Sequence, residues 1–336
     1  GSYTTAFFSA SLLGLFMFFG FEACGNVAEE VKNPSRQIPV AMILSIVFGC
    51  ISAMVSVLGY LLASPNLQAI VNGQVTDPIP FILKFCLEHE ISLVFCGKNT
   101  SIFEQQRALF EQQGIILITG ATRPESIEQI SNKALFTEMC EQQHLPVTPA
   151  VAAYNYAELQ HGIAEMQQRF PEQDVCVKPI YGVYAEGFFC LKQDAELFTQ
   201  YKYPFVTTLR QFCEAYAALA VPIPYLVMPF LAGEECSVDI ACSQGQVLAH
   251  ATRIKRTGYQ DITVDGPCDD ICQRLVTLFQ LDGLINIQLK QNDQQQWFIL
   301  EINSRPAGGF AYSRPTGLNL IAELISHKLN LPFQRQ

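Results

Sequence analysis

Hydrophobic and polar positions divide the chain near residue 86. Residues 1–21 and 37–76 carry no charge. A bilayer-spanning helix needs about 20 apolar residues, and residues 9–28 and 38–63 each reach that length. The pattern therefore predicts a two-helix hydrophobic hairpin of transmembrane type. The first span is interrupted by Gly20, Glu22 and Gly25. Such breaks are tolerated where they line a protein cavity. The apolar stretch is too long, and its start too free of basic residues, for a signal peptide. Asp77-Pro78-Ile79-Pro80 reads as a linker-like break.

Beyond it the apolar runs shorten. A strand is expected at 91–96, a helix at 103–113 closed by Gly114, and a strand at 115–118 followed by Gly120. This βαβ rhythm predicts a parallel α/β layer. Ser131-Asn132-Lys133 is expected to open a helix running to about Gln143. A strand at 174–179 leads into a glycine-bearing loop from Tyr181 to Gly187. Residues 226–239 read as two strands joined by a tight turn. Residues 285–289 and 298–305 read as neighbouring strands around a polar hairpin at 291–296.

The alternation within that last pair carries chemistry. Glu301 and Asn303 are two apart and face one side of a strand, Arg305 follows on that face, and Gln288 lies on the preceding strand. A row of such groups among apolar residues is costly unless paired. Oxygen donors of this kind suit magnesium, which keeps waters and bridges substrate phosphates. A loop with Gly182 and Gly187 can close backbone N–H groups over phosphates. In the basic run Arg253-Ile254-Lys255-Arg256, Arg253 is expected to face the site and receive an anionic substrate.

The overall composition, 49% hydrophobic and 15% charged, is a sum over two parts. The first 86 residues hold only four of the 31 acids and three of the 21 bases. A net charge of −10 speaks against a nucleic-acid partner, because neutralising phosphates takes clustered Lys and Arg. Twelve cysteines without a Cys-x-x-Cys pair read as small buried thiols in a reducing compartment. Cys236/Cys242 and Cys268/Cys272 lack histidines at zinc spacing.

Two resemblances follow from these residues. Phe18-Phe19-Gly20-Phe21-Glu22, followed by Ala28-Glu29-Glu30-Val31-Lys32-Asn33-Pro34 and then Arg36, Ile38 and Pro39, resembles the amino acid–polyamine–organocation permeases over residues 1 to about 80. The stretch corresponds to the sixth and seventh membrane helices of that family. The resemblance implies that Phe19, Gly20, Phe21 and Glu22 belong to the substrate-contacting break. Two helices cannot form the two-repeat cavity of a transporter, so an orphan hairpin is expected. The second resemblance, over about residues 88–336, is to the ATP-grasp superfamily, of the carbamoyl-phosphate-synthase-like carboxylate–amine ligase type. Its motifs are Lys133, Lys178-Pro179, the glycine loop, Gly233-Glu234-Glu235 with Ser237-Val238-Asp239, Asn286-x-Gln288, and Glu301-x-Asn303-x-Arg305 before Gly308-Gly309.

The fold so implied is α/β: an α+β ATP-grasp domain at 131–336, a truncated Rossmann-like pre-grasp lobe at 87–130, and the hairpin at 1–86. By the same resemblance, Lys133, Lys178, Gly182 and Gly187 would contact ATP. Met228, Phe230 and Leu231 would read the adenine edge through their backbone, and Glu235 would hold the ribose. Gln288, Glu301 and Asn303 would bind magnesium, or manganese in its place. Arg305 would stabilise the transferring phosphoryl group, with Arg253 as the second catalytic residue. Pro229 stands where an acid is common, and Tyr184 and Glu186 are bulky for a tight glycine loop.

The activity expected is magnesium- and ATP-dependent ligation, in which a small-molecule carboxylate becomes an acyl phosphate and an amine attacks it. The alternatives are a permease fragment and an ATP-binding module without catalysis. The ATP-grasp part is expected in the cytoplasm, with membrane attachment through residues 4–63 if the hairpin inserts. Lys32 and Arg36 would make the hairpin loop cytoplasmic and place both ends outside, away from ATP. That conflict, the missing initiator methionine and the incomplete look of both parts suggest a fragment or a fusion of two genes joined near residues 80–88.

Overall fold

In a computed structural model, the chain divides into two compact units, Gly1–Pro78 and Ile79–Gln336. The structure describes residues 77–97, 100–182, 186–194, 203 and 205–332, with Arg36, Pro39, Val40, Ile43, Leu44 and Val47 of the first unit. Those six positions are helical and exposed. The remainder of both expected spans, with Phe19 to Glu22 and Lys32, lies outside the described residues. Among the described residues no helix is long and apolar enough to cross a membrane.

Elements are numbered from residue 77 onward. The expected break at Asp77–Pro80 is instead the start of helix α1, Pro78–Glu88. Proline suits a first helical turn because its missing N–H has no intrahelical partner there. Strand β1 (Leu93–Phe95), helices α2 (Thr100–Gln105) and α3 (Arg107–Glu111), and strand β2 (Ile116–Ile118) follow. The single helix expected at 103–113 is thus two short ones. β1 and β2 pair in parallel, Val94 opposite Leu117, as the βαβ rhythm requires. Ile79, Cys86, Phe103, Phe110 and Leu117 form a small core beneath them.

Strand β3 (Gly120–Ala121) leads to α4 (Pro124–Ser131) and α5 (Lys133–Gln142). Ser131 closes α4 rather than opening α5. Asn132 is the cap, its side chain accepting the N–H groups of Ala134 and Leu135 at 3.1 Å each. The next strands build a five-stranded sheet: β4 (Val151–Ala153), β5 (Val175–Pro179), β6 (Phe189–Lys192), β7 (Val206–Thr208) and β8 (Tyr225–Pro229). Their spatial order is β4-β8-β5-β6-β7. Helices α6 (Tyr156–Arg169) and α7 (Leu209–Ala217) bury Leu159, Ile163, Met166, Phe212 and Tyr216 against it.

The second sheet holds β9 (Glu235–Ser243), β10 (Gln246–Lys255), β11 (Gln260–Thr263), β12 (Leu281–Gln291) and β13 (Trp297–Asn303), in the order β11-β10-β9-β12-β13, with β3 added on β12. The stretch expected as two strands joined by a tight turn is β8 and β9. They lie in different sheets, and Phe230 to Glu234 carries the chain from one sheet to the other.

Period-two alternation sorts the second sheet. Cys236, Val238, Ile240, Ile285, Ile287 and Leu289 point to one core, shared with helix α8 (Asp269–Leu278) and α5. Their neighbours Glu235, Ser237, Asp239, Asn286, Gln288 and Lys290 point the other way. There, Ala241, Ala249 and Leu284 pack on helix α9 (Leu320–Lys328) at one end of the sheet. The register between β12 and β13 shifts past Gln288. The bulge lets Ile299 and Ile302 both reach the apolar core while Glu301 and Asn303 keep the polar face. The ten described cysteines are free thiols. Burial pushes Cys96 and Cys190 up to about 11 and Cys140 up to about 12, which leaves little reactive thiolate.

Candidate active site

A cavity of about 440 Å³ lies between the two sheets. One end is apolar, lined by Cys176, Phe188, Phe205, Met228, Phe230 and Leu231. The other is polar, lined by Lys133, Lys178, Gln288, Glu301, Asn303 and Arg305, with Glu235 also in the wall. The fold thus gathers ten of the expected site residues from five distant stretches of sequence.

Each is aimed by its own element. The Asn132 cap places Lys133 in the first turn of α5. Its ammonium is nearly buried and donates to the carbonyl of Gly182 at 3.0 Å. β5 carries Lys178, whose ammonium is ion-paired with the Glu301 carboxylate on β13. Asn303 donates to the other Glu301 oxygen at 3.3 Å. Gln288 stands directly opposite Glu301 across the β12–β13 ladder, and Asn286 opposite Asn303. The four make one two-by-two patch.

The electrostatics follow from that crowding. Burial pulls the Lys133 ammonium down, and the nearby Lys178 charge pulls it further, to about 8, against a weaker opposing pull from Glu301. Burial alone would raise the Glu301 carboxyl. The charge and hydrogen bond of Lys178 outweigh it, with Lys133 and Asn303 adding to them, and hold it below the usual carboxylate value. Glu301 is therefore ionised at neutral pH.

The glycine loop is tied down at both described ends. Tyr181 donates to Glu128 at 2.8 Å and accepts from Asn132 at 2.9 Å. Gly187 has φ +71°, and a Cβ there would sit 2.7 Å from Pro179 Cγ, so the close return of the chain requires glycine. Neither Gly182 nor Gly187 lines the cavity, although the Gly182 carbonyl accepts from the cavity's Lys133. Tyr184, with Val183 and Ala185, lies outside the described residues, and Glu186 is exposed.

Arg253, expected to face the site, is not in the wall of this cavity. It is buried, and its guanidinium grips Asp239 at 2.7 and 3.3 Å, Ser237 Oγ at 3.0 Å and Gln260 Oε1 at 3.2 Å. The alternation is right, but Arg253 sits opposite Ser237 in an interior ladder, where a neighbouring carboxylate claims it. Its sequence neighbour Lys255, on the same face, reaches the cavity and pairs with Glu235 at 2.5 Å.

Phe188, Phe205 and Lys290 also line the cavity and were not singled out from sequence. The Phe188 ring lies 6.0 Å from Phe205 and 6.5 Å from Phe230, and Lys290 Nζ is 5.6 Å from the Phe230 centroid. Lys290 was within reach of the alternation rule, two residues after Gln288. The two phenylalanines carried no comparable signal.

Residues 222–336 match the family model described as ATP-grasp in the biosynthetic pathway with Ter operon, and residues 1–94 match the amino acid permease model. Over 94 residues the chain is 34% identical to the branched-chain amino acid permease BcaP of Bacillus subtilis (strain 168), covering 27% of this chain and 17% of that protein. Solved structures that it resembles include an ADP complex of N5-carboxyaminoimidazole ribonucleotide synthetase (TM-score 0.53, 15% identity, 77% of this chain and 65% of that one). Biotin carboxylase of Campylobacter jejuni gives 0.54 at 14% identity, covering 76% and 58%, and the D-alanine-D-alanine ligase of Coxiella burnetii gives 0.50 at 14%, covering 70% and 68%. The chain thus carries a mixed α/β body with an ATP-grasp-like fold, matched by the ATP-grasp family model at residues 222–336, after a stretch similar to part of an amino acid permease.

Proposed function

We propose that the body at 79–336 binds ATP in this cavity and uses it to activate a small carboxylate for attack by an amine. The observation that carries the reading is the polarity of one cavity: aromatic and apolar at one end, two lysines and an arginine around a single ionised carboxylate at the other. In this reading the base lies against Met228, Phe230 and Leu231, the ribose against Glu235, and the phosphates against Lys133 and Lys178. The body works where ATP is available, on the cytoplasmic side. The permease-like stretch spans about a sixth of its relative, and no transport is proposed for it.

A carboxylate is a poor electrophile, and the protein's contribution is charge neutralisation and alignment. Lys133 and Lys178 offset phosphate charge, and Arg305 lies beside the polar patch to meet the transferring phosphoryl group. The donor set suits magnesium: one carboxylate and the amide oxygens of Gln288 and Asn303, hard oxygen ligands with room for water. Bound magnesium would shield the phosphate oxygens and fix their orientation, as manganese would in its place.

Incubation with MgATP, hydroxylamine and a panel of carboxylic acids tests the reaction. An acyl hydroxamate with equimolar ADP is the expected product. ADP release that no acid stimulates would leave only nucleotide hydrolysis.

Lys133 gives a pH signature. Its ammonium loses its proton near pH 8, below the ordinary lysine value of 10.5. Anionic phosphates beside it would raise that value, so nucleotide binding between about pH 8 and 9.5 takes up a proton, and affinity falls as pH rises through that window. Calorimetry in two buffers of different ionisation enthalpy checks this. Binding without proton uptake at pH 8.5 would place the phosphates away from Lys133.

A further inference from the structure

Asn286 is fully buried on β12, and its carboxamide is fixed by what lies behind it. The Nδ2 group donates to Ser237 Oγ at 2.9 Å, to Asp239 Oδ1 at 2.9 Å and to the Val238 carbonyl at 3.3 Å. All three are acceptors for that NH2. Turning the amide over would press its oxygen against the Asp239 carboxylate and the Val238 carbonyl, so the orientation is dictated by the network. Arg253 in turn grips Asp239 from the far side and donates to the same Ser237 oxygen.

The other half of the amide is bare. Asn286 Oδ1 is buried and has no hydrogen-bond partner, although the residue lines the cavity. A buried acceptor left without a partner costs about 1–3 kcal/mol, and the side chains of Ser237, Asp239 and Arg253 hold this one in place. The atom has almost no exposed surface, and a bare divalent cation is smaller than a water molecule. Asn286 shares the patch with Glu301, Gln288 and Asn303, standing opposite Asn303 in the ladder.

We infer that Asn286 Oδ1 is a further ligand for a divalent cation held with Glu301 and Asn303, its aim set by Ser237, Asp239 and Arg253. The inference rests on the nucleotide reading of the cavity. It gives the buried Arg253 a purpose that substrate binding does not: it holds the carboxylate that holds the amide. An Asn oxygen adds a ligand without adding charge, so the site keeps a single carboxylate and stays suited to a cation that shares its charge with phosphates.

Manganese supplies the probe. Mn2+ titrated into the full chain in the presence of ADP, followed by electron paramagnetic resonance, is expected to bind about tenfold more weakly to Asn286→Leu than to the wild type. Anomalous diffraction from a wild-type Mn2+–ADP crystal needs no variant: the ion is expected about 2.1–2.3 Å from Oδ1. Wild-type binding with the Leu variant equally tight, or an ion on Glu301 lying more than about 3.5 Å from Oδ1, overturns this inference alone. Absence of Mn2+ and ADP binding by the wild type overturns the nucleotide reading and the inference with it.

Discussion

Glu301→Gln is expected to lower MgATP turnover about 10³-fold in kcat/KM, equivalent to about 4 kcal/mol of lost transition-state stabilisation. Glu301 is the only carboxylate of the patch formed with Gln288, Asn286 and Asn303. Replacing it with an amide removes the one formal negative charge that a cation would meet there. It also removes the partner of Lys178 and the one nearby charge that supports protonated Lys133. The Lys133 ammonium then drops further below 8, so the fall in nucleotide affinity moves to lower pH in the variant. Steady-state ADP release and a pH series of ADP binding together measure both effects. Turnover within a few fold of wild type would remove Glu301 from the reaction.

Arg253→Met should cost about 3–5 kcal/mol of stability, the usual consequence of leaving one member of a buried ion pair alone. Asp239 has 0% exposure, and Arg253 is its only cationic partner among the described residues. The double variant Asp239→Leu/Arg253→Met should regain most of the loss, since no bare charge remains. Urea unfolding of the three variants measures this. Equal stability of the wild type and Arg253→Met would show that the fold does not depend on this ion pair.

The legible parts of this molecule were those that a short spacing determines. Glu301 and Asn303 are two apart on a strand, and a strand puts residues two apart on one face. The helix cap at Asn132 and the hairpin between β12 and β13 are equally local. What escaped depended on partners far away in the chain. Arg253 alternates correctly, but its fate is settled by Asp239 across the β9–β10 ladder. Nothing in Leu226 to Asp239 says that its two strands join different sheets, because a short connection can close a hairpin or cross a gap. Asp77–Pro80 misled because proline marks both linkers and helix starts. Phe188 and Phe205 reach the cavity through the packing of one sheet over the other, which no local pattern encodes.

That short crossing has a mechanical consequence. Phe230 to Glu234 carries the chain directly from one wall of the cavity to the other. Its first N–H is anchored on Asp174 at 2.7 Å, and the N–H of Gly233 on Gln291 at 3.1 Å. Gly233 tolerates no Cβ, which would stand 2.6 Å from Gln291 Cβ. The segment is therefore a stiff strap, pinned to one sheet at its start and to the other at its end. The peptide groups proposed to sense the base are also the bearing on which the two walls would pivot. In the proposed nucleotide reading, a change of tilt at the aromatic end of the cavity would then change the gap at its polar end.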